Sequence, residues 1–167
     1  ADAGGETLLR LSIAEITGNQ PFSLFPGVDR IILQLSGPPM DLIVEGQTVR
    51  LSRDAPFAFD GEAAVGCELS GAGAAQDLNL MCNRNALRPA MTVTRLSAGE
   101  SRLHGAPGGW AGLVALEAGT LTTPCELNLA PGDLLLWQGE QALAAATSAR
   151  LALWAATPAR HATGAAG

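Results

Sequence analysis

Apolar residues alternate with polar or small ones along most of this chain, and the period is two. In Leu9-Arg10-Leu11-Ser12-Ile13-Ala14 the odd positions are apolar, the spacing of a strand with one buried face. Ile31, Leu33 and Leu35 repeat the pattern against Ile32, Gln34 and Ser36. The same rule predicts short strands over 40–44, 48–51, 57–59, 63–69 and 77–82. In the second half it predicts 91–96, 113–116, 126–129, 134–137, 142–146 and 150–155. Gly and Pro punctuate the intervals, as at Gly37-Pro38-Pro39, Glu45-Gly46-Gln47, Asp60-Gly61, Gly108-Gly109 and Pro131-Gly132. Helical periodicity is nearly absent. The segment 83–89 is the place for a helical turn or a linker, and the tail 158–167 reads as flexible. Many short strands divided by such turns predict an all-β sandwich or barrel.

The pattern also repeats. Sliding the chain by 78 residues lays Val49 to Val65 on Leu127 to Leu143. Leu51 then meets Leu129, Gly61 meets Gly139, Glu62 meets Glu140 and Ala64 meets Ala142, while Phe57 meets Leu135 and Phe59 meets Trp137. Either two hairpins share a generic pattern, or the chain is a duplication. The phase of the apolar positions favours duplication: two similar antiparallel β-barrel halves, 1–85 and 90–157.

One segment breaks the alternation. Pro21-Phe22-Ser23-Leu24-Phe25-Pro26-Gly27-Val28-Asp29-Arg30 contains two prolines that cannot donate to a ladder. It also contains half of the four phenylalanines. A loop with two rings that delivers a charged pair into the next strand is either a plug for a barrel end or the wall of a pocket.

Composition narrows the chemistry. The net charge is −6 and the ten basic residues, all Arg, are scattered, which argues against nucleic acid as a partner. No apolar run reaches the length of a membrane span, so neither nucleic acid nor a membrane is expected. Without Lys or Tyr a Schiff-base lysine and a tyrosine acid or base are excluded. Cys67, Cys82 and Cys125 have no CxxC spacing and read as small buried apolar residues in a reducing compartment, cytoplasm by default. A metal site in a barrel needs several imidazoles and a carboxylate from adjacent strands. Here His104 and His161 are far apart, so neither metal nor cofactor is expected. His104, before a Gly-Pro-rich loop, is either a general base or a surface loop histidine.

The strongest polar constellation is Asp77-Leu78-Asn79-Leu80-Met81-Cys82-Asn83-Arg84. On a strand Asp77, Asn79 and Met81 share one face, and Arg10 and Ser12 share the polar face of theirs. If these faces line one lumen, Ser12, Arg30, Glu68, Asp77 and Asn79 form a polar pocket floored by Met81 and Phe57, with Phe25 on its wall. Otherwise they are a solvated sheet face with an Asp–Arg ion pair. The pocket reading makes the chain a metal-free binder of a small anion, with Arg30 or Arg10 on a carboxylate. Asn79 and Ser12 supply neutral donors and acceptors there, while Arg84 and His104 are subsidiary candidates and no catalytic residue is named. An alternative is a cofactor-free isomerase or hydrolase of a small acid or sugar derivative, with Glu68 or Asp77 as base. Exposed sheet edges also make a homodimer an expectation.

The blocks Leu11-Ser12-Ile13-Ala14-Glu15-Ile16, Pro21 to Arg30, Pro56-Phe57-Ala58-Phe59 and Asp77-Leu78-Asn79-Leu80-Met81, in this order, resemble the HutD/Ves family. The resemblance is centred on Phe-Ser-x-Phe-Pro-Gly-x-(Asp/Glu)-Arg and covers Leu8 to about Arg84, with a Gly-Gly-Trp element at Gly108 to Trp110 in the second half. It implies a bicupin of the RmlC-like jelly-roll class. It further implies a cytoplasmic bacterial protein of histidine utilisation or stress response that binds formylglutamate or urocanate as a regulator of flux. Ser12, Phe25, Pro26, Gly27, Arg30, Asn79 and Met81 match the family's signature residues. The family's opening Trp-(Lys/Arg)-Asn-Gly-Gly-Gly-x-Thr-Arg-Glu element is represented here by Asp2-Ala3-Gly4-Gly5-Glu6-Thr7, and its usual Trp before Arg10 is Leu9. On this resemblance the Pro21–Arg30 segment is a pocket wall, stiffened by its prolines, that aims Arg30 at an anion.

Overall fold

The computed structural model describes residues 8–122 and 125–159. Asp2 to Thr7, His161 and the tail beyond Ala159 lie outside the described residues. Fourteen strands run in order: β1 (Leu9–Ile16), β2 (Gln20–Pro21), β3 (Val28–Ser36), β4 (Met40–Val44), β5 (Gln47–Arg50), β6 (Phe57–Asp60) and β7 (Val65–Leu69). They continue as β8 (Ala75–Asn83), β9 (Leu87–Leu96), β10 (Ser101–Ala115), β11 (Gly119–Thr122), β12 (Glu126–Leu129), β13 (Leu134–Ala145) and β14 (Ala149–Pro158). Every pairing is antiparallel and the described residues contain no helix. None, accordingly, is long and apolar enough to cross a membrane.

The strands form three sheets, β1-β8-β3-β6, β2-β7-β4-β5 and β12-β11-β13-β10-β14-β9. The same pairing map occurs twice. β1-β8-β3-β6 is matched by β9-β14-β10-β13, and β5-β4-β7 by β12-β11-β13. In the second copy β13 is long enough to serve as both β6 and β7, which merges two sheets into one curled sheet. Register makes the correspondence residue by residue. Arg30 faces Phe59 and Met81, while Ala111 faces Trp137 and Ala155.

Apolar burial is divided among three clusters. One fills the first barrel with Ile16, Ile32, Met40, Leu42, Leu51, Val65 and Cys67. A second fills the other barrel with residues such as Leu96, Leu113, Leu121, Leu143 and Leu151. The third joins them: Ile31, Leu33, Leu78, Leu80 and Cys82 pack on Met91, Val114, Ala152, Trp154 and Ala156. The odd positions of β3 and even positions of β8 therefore face the seam, and the alternate positions face the first barrel's interior.

Four expectations are corrected. The segment 83–89 is not helical: β8 of the first half joins β9 of the second through a tight turn at 84–86, closed by Ala86 N–H donating to the Asn83 carbonyl at 3.1 Å. Gly108-Gly109 is no turn between strands, because it lies within β10 where the register with β13 shifts between Gly105 and Trp110. Gly105 (φ +111°) and Gly108 (φ +72°) allow that irregularity. The segments 134–137 and 142–146 are one strand, bridged by Gln138-Gly139-Glu140-Gln141, whose polar residues masked it. Lastly Cys125, expected to be buried like Cys67 and Cys82, is exposed; β2 and β11, short and without alternation, were not foreseen.

Gly112 makes room for the ring of Trp154, a seam residue on the neighbouring strand. A Cβ there would lie 2.3 Å from the Leu135 carbonyl oxygen and 2.6 Å from the Trp154 ring. Gly112→Ala is expected to destabilise by about 1–3 kcal/mol, the usual effect of overpacking, and equilibrium urea unfolding measures it.

Candidate functional site

The inner face of the first barrel is a grid set by register, since directly opposed residues in antiparallel strands share a face. Across β1, β8 and β3 one row is Arg10, Met81, Arg30, the next Ser12, Asn79, Ile32, and the third Ala14, Asp77, Gln34. β6 extends the first two rows with Phe59 and Phe57. The strand alternation that puts Leu78 and Leu80 in the seam thus sends Asp77 and Asn79 inward. Both are buried, as is Arg30, which is 5% exposed.

Arg30 Nη2 donates to Asn79 Oδ1 at 2.8 Å, and Arg30 Nη1 donates to the Ser23 carbonyl at 3.3 Å. Asn79 Nδ2 in turn donates to Asp77 Oδ1. The amide therefore links cation and carboxylate, which make no direct ion pair. Three rings enclose the guanidinium: its central carbon lies 4.8 Å from the Phe59 centroid, 5.3 Å from Phe22 and 5.4 Å from Phe25. Their negative faces stabilise a desolvated cation. Arg30 Nε and Asp77 Oδ2 are buried without a partner, which is costly in a low-dielectric interior. Burial pushes the Asp77 carboxyl up from 3.8 to about 6, against the Asn79 hydrogen bond and the Arg30 charge, which act downward. Burial likewise lowers the Arg30 pKa, opposed by Asp77 and reinforced by Arg10.

The loop 21–27 is a cap over this cation. Phe22 N–H donates to the Val65 carbonyl and Phe25 N–H to the Gly61 carbonyl, each at 2.8 Å, and Gly27 N–H donates to Glu62 Oε1 at 2.7 Å. Gly61 is required by close approach, because a Cβ would sit 2.6 Å from the carbonyl oxygens of both Phe25 and Val28. The choice between plug and wall is answered by position. The rings lie on Arg30, which is bonded inward rather than aimed into an open pocket. A cavity of about 60 Å³ bordered by Arg10, Phe25, Val28 and Met81 lies nearby, room for roughly two waters at about 30 Å³ each.

The structure therefore brings together Arg30, Asp77, Asn79, Met81, Phe25 and Phe57, with Ser12 directly opposite Asn79. Phe57 stacks on Phe59 at 6.1 Å. It does not bring in Glu68, exposed on β7 beside inward-facing Cys67, so its carboxylate is on the outer face. Arg10 is exposed at the end of the first row. Arg84 is outside the barrel, paired with Asp29 at 3.1 Å and Asp60 at 2.5 Å. His104 belongs to the second half and is no loop residue. It lies in β10, with Nε2 2.9 Å from the Trp154 carbonyl and its ring edge-on to Trp137. Sequence reasoning missed Phe22 and Phe59 as partners of Arg30, although the Phe57/Phe59 pairing in phase was a usable signal. Among the described residues no group of three or more His, Cys, Asp or Glu side chains is placed to hold a metal.

The second barrel repeats the grid without its polarity. By register Arg30, Asn79 and Asp77 correspond to Ala111, Leu153 and Leu151, and Phe59 to Trp137.

Comparison with known proteins fits this architecture. The HutD family model matches residues 2–155. The chain is 41% identical over 87 residues to Protein Ves of Citrobacter koseri, covering 50% of this chain and 44% of that one. It is 51% identical over 74 residues to an uncharacterised 21.2 kDa protein in the hutC 3′ region of Pseudomonas putida, covering 43% and 38%. The match thus spans less than half the length of either relative. A conserved protein of unknown function from Pseudomonas aeruginosa PAO1 superposes with TM-score 0.78 at 28% identity, covering 91% of this chain and 84% of that one. HutD from Pseudomonas fluorescens SBW25 gives 0.72 at 25% identity, covering 91% and 80%. A salicylate 1,2-dioxygenase from Pseudoaminobacter salicylatoxidans gives 0.68 at 11% identity over 89% of this chain and 71% of that one; this likeness is of fold alone, the cupin-like barrel.

Between pH 4 and 6 the folded chain holds a proton on Asp77 that the unfolded chain has released, so stability falls as pH rises through that window. Asp77→Asn is expected to remove about 2–3 kcal/mol of this fall between pH 4 and 7, read as the difference in urea midpoints between wild type and variant at the two pH values.

Proposed function

This chain belongs to the HutD family, and from that premise we propose that it is a metal-free small-molecule-binding protein of histidine utilisation. Its first barrel takes up an anionic pathway metabolite, formylglutamate or urocanate, and the bound state regulates flux. The two barrel halves, 1–85 and 90–157, and a cytoplasmic setting belong to the same reading, as does a homodimer.

The observation that carries it is Arg30, a buried guanidinium with Nε unpartnered and a neutral amide and one carbonyl as its other hydrogen-bond partners. A planar guanidinium fork pairs with a carboxylate through two parallel bonds. A carboxylate entering beside Arg30 replaces ring contacts with a charge-assisted pair and satisfies Nε. Entry proceeds by displacement of the Phe22–Phe25 cap, since the adjoining cavity is too small for either acid. Asn79 turns its amide toward the formyl or ring nitrogen of the ligand. The relative from Pseudomonas putida, named for its place beside hutC, and the HutD structure support the pathway.

A second reading rests on Asp77. A buried carboxyl with a pKa pushed up to about 6 and one oxygen unpartnered suits a general acid or base. In that case the barrel isomerises or hydrolyses its ligand without a cofactor.

Isothermal titration with formylglutamate and with urocanate tests the first reading. One of the two is expected to bind, and Arg30→Met to weaken it by roughly tenfold or more, the scale of a lost charged hydrogen bond. No heat with either acid removes them as ligands, and consumption of the bound acid followed by NMR would favour the second reading.

A further inference from the structure

The seam between the barrels holds a groove that the first-barrel site does not use. Its polar end, about 250 Å³, is lined by Gln34, Ser36, Arg53, Gln76 and Arg150 around an apolar base of Leu35 and Leu116. Through Ile13, Val114 and Gly132 it is continuous with a second groove of about 230 Å³, walled by Leu11, Leu78 and Leu134. The polar end holds both guanidiniums; the other end is apolar apart from Ser12. Ile13 and Leu134, 47% and 50% exposed, are large apolar side chains left facing this channel rather than buried in a core.

The charges at the polar end can be assigned one by one. Arg150 Nη2 donates to Asp54 Oδ1 at 2.6 Å and to the Arg53 carbonyl at 2.7 Å, fixing the 53–54 loop of the first half onto β14 of the second. Arg53 Nη2 donates to the Gly37 carbonyl at 2.6 Å, a neutral partner that holds the guanidinium in place and leaves its charge uncompensated. Of the flanking acids, Glu117 is paired with Arg95 at 2.8 Å, whereas Asp133, outside the groove's lining, accepts from the Ala130 N–H at 2.8 Å and keeps its charge. Glu15, exposed on β1 opposite Gln76, is the remaining carboxylate at the rim. One uncompensated guanidinium therefore stands at the mouth of a long apolar trough.

We infer that the seam groove binds a monocarboxylate with an unbranched apolar tail. The carboxylate pairs with Arg53 beside the Gln76 amide, and the tail lies along Ile13, Val114 and Leu134. A single free cation matches a single negative charge, and a tail that covers Ile13 and Leu134 removes exposed apolar surface from water. Because both halves contribute walls, the bound acid ties one barrel to the other.

Calorimetry with acetate, hexanoate, octanoate and octanamide decides it. Affinity is expected to rise about two- to fourfold per methylene from acetate to octanoate, and octanamide to bind at least tenfold more weakly than octanoate. Arg53→Gln should cost octanoate about tenfold and bring it level with octanamide, Leu134→Ser should flatten the chain-length dependence, and Glu15→Gln should tighten binding. Arg30→Met, inside the first barrel and outside the groove's lining, should leave octanoate unaffected. Equal affinity for acetate and octanoate, equal binding of octanoate and octanamide, or an Arg53→Gln variant that binds octanoate like wild type would each overturn the inference.

Discussion

Burial on both faces is the constraint from which this architecture follows. The central stretches of β3, β8, β10 and β14 are each sandwiched between a barrel interior and the seam, so Arg30 to Gln34, Asp77 to Asn83, Ala111 to Ala115 and Leu151 to Trp154 are buried throughout. A strand in that position contributes apolar area twice per pair of residues, which makes the seam as much a core as either barrel interior. It also means that a polar side chain on such a strand has no solvent face to turn to.

Arg30, Asn79 and Asp77 are the exception that this constraint makes costly. Desolvating a guanidinium and a carboxylate in one barrel is repaid in part by mutual attraction through Asn79 and in part by three aromatic faces. The repayment is incomplete, since one nitrogen and one oxygen stay unpartnered. A protein selected for stability alone would fill these positions as its own second half does, with Ala111, Leu153 and Leu151. The duplicated grid is an internal control: same pairing, same register, polarity removed. The polar grid is therefore a property of the first half's sequence and not of the pairing the two halves share.

Much of the fold was legible because strands with one solvent face still alternate. β1, β4 and β12 fell where the pattern put them, β5 was offset by one residue, and β3, β6 and β9 were expected too short by a few residues. The alternation failed where both faces were buried or where glycine replaced side chains, as in β10 with Gly105, Gly108 and Gly109. Periodicity needs a polar face to contrast with an apolar one, and neither situation offers it. The site divided along the same line. Asp77 and Asn79 shared a strand face and so declared their common direction, whereas Phe59 reaches Arg30 across a register that no local pattern encodes. Glu68 carried a signal that misled: its charge suggested a lumen, yet its neighbour Cys67 is the residue facing inward, and a one-residue step reverses the face.

The cap resolves what the two prolines and two rings of the 21–27 loop have in common. Proline removes backbone donors that would otherwise demand partners over an apolar mouth, and the rings supply a face for a cation that has no water. A loop built this way is compatible with closure over a charge and does not need a rigid opening. Its attachment runs through backbone bonds to Gly61 and Val65 and a single carboxylate, Glu62, at Gly27. Lifting the cap exposes Arg30 without unravelling β3 or β8, because those strands hold the guanidinium's stem and Asn79 in the sheet. The rings are thus carried by the loop, while Arg30, Asn79 and Asp77 are carried by the paired strands of the grid.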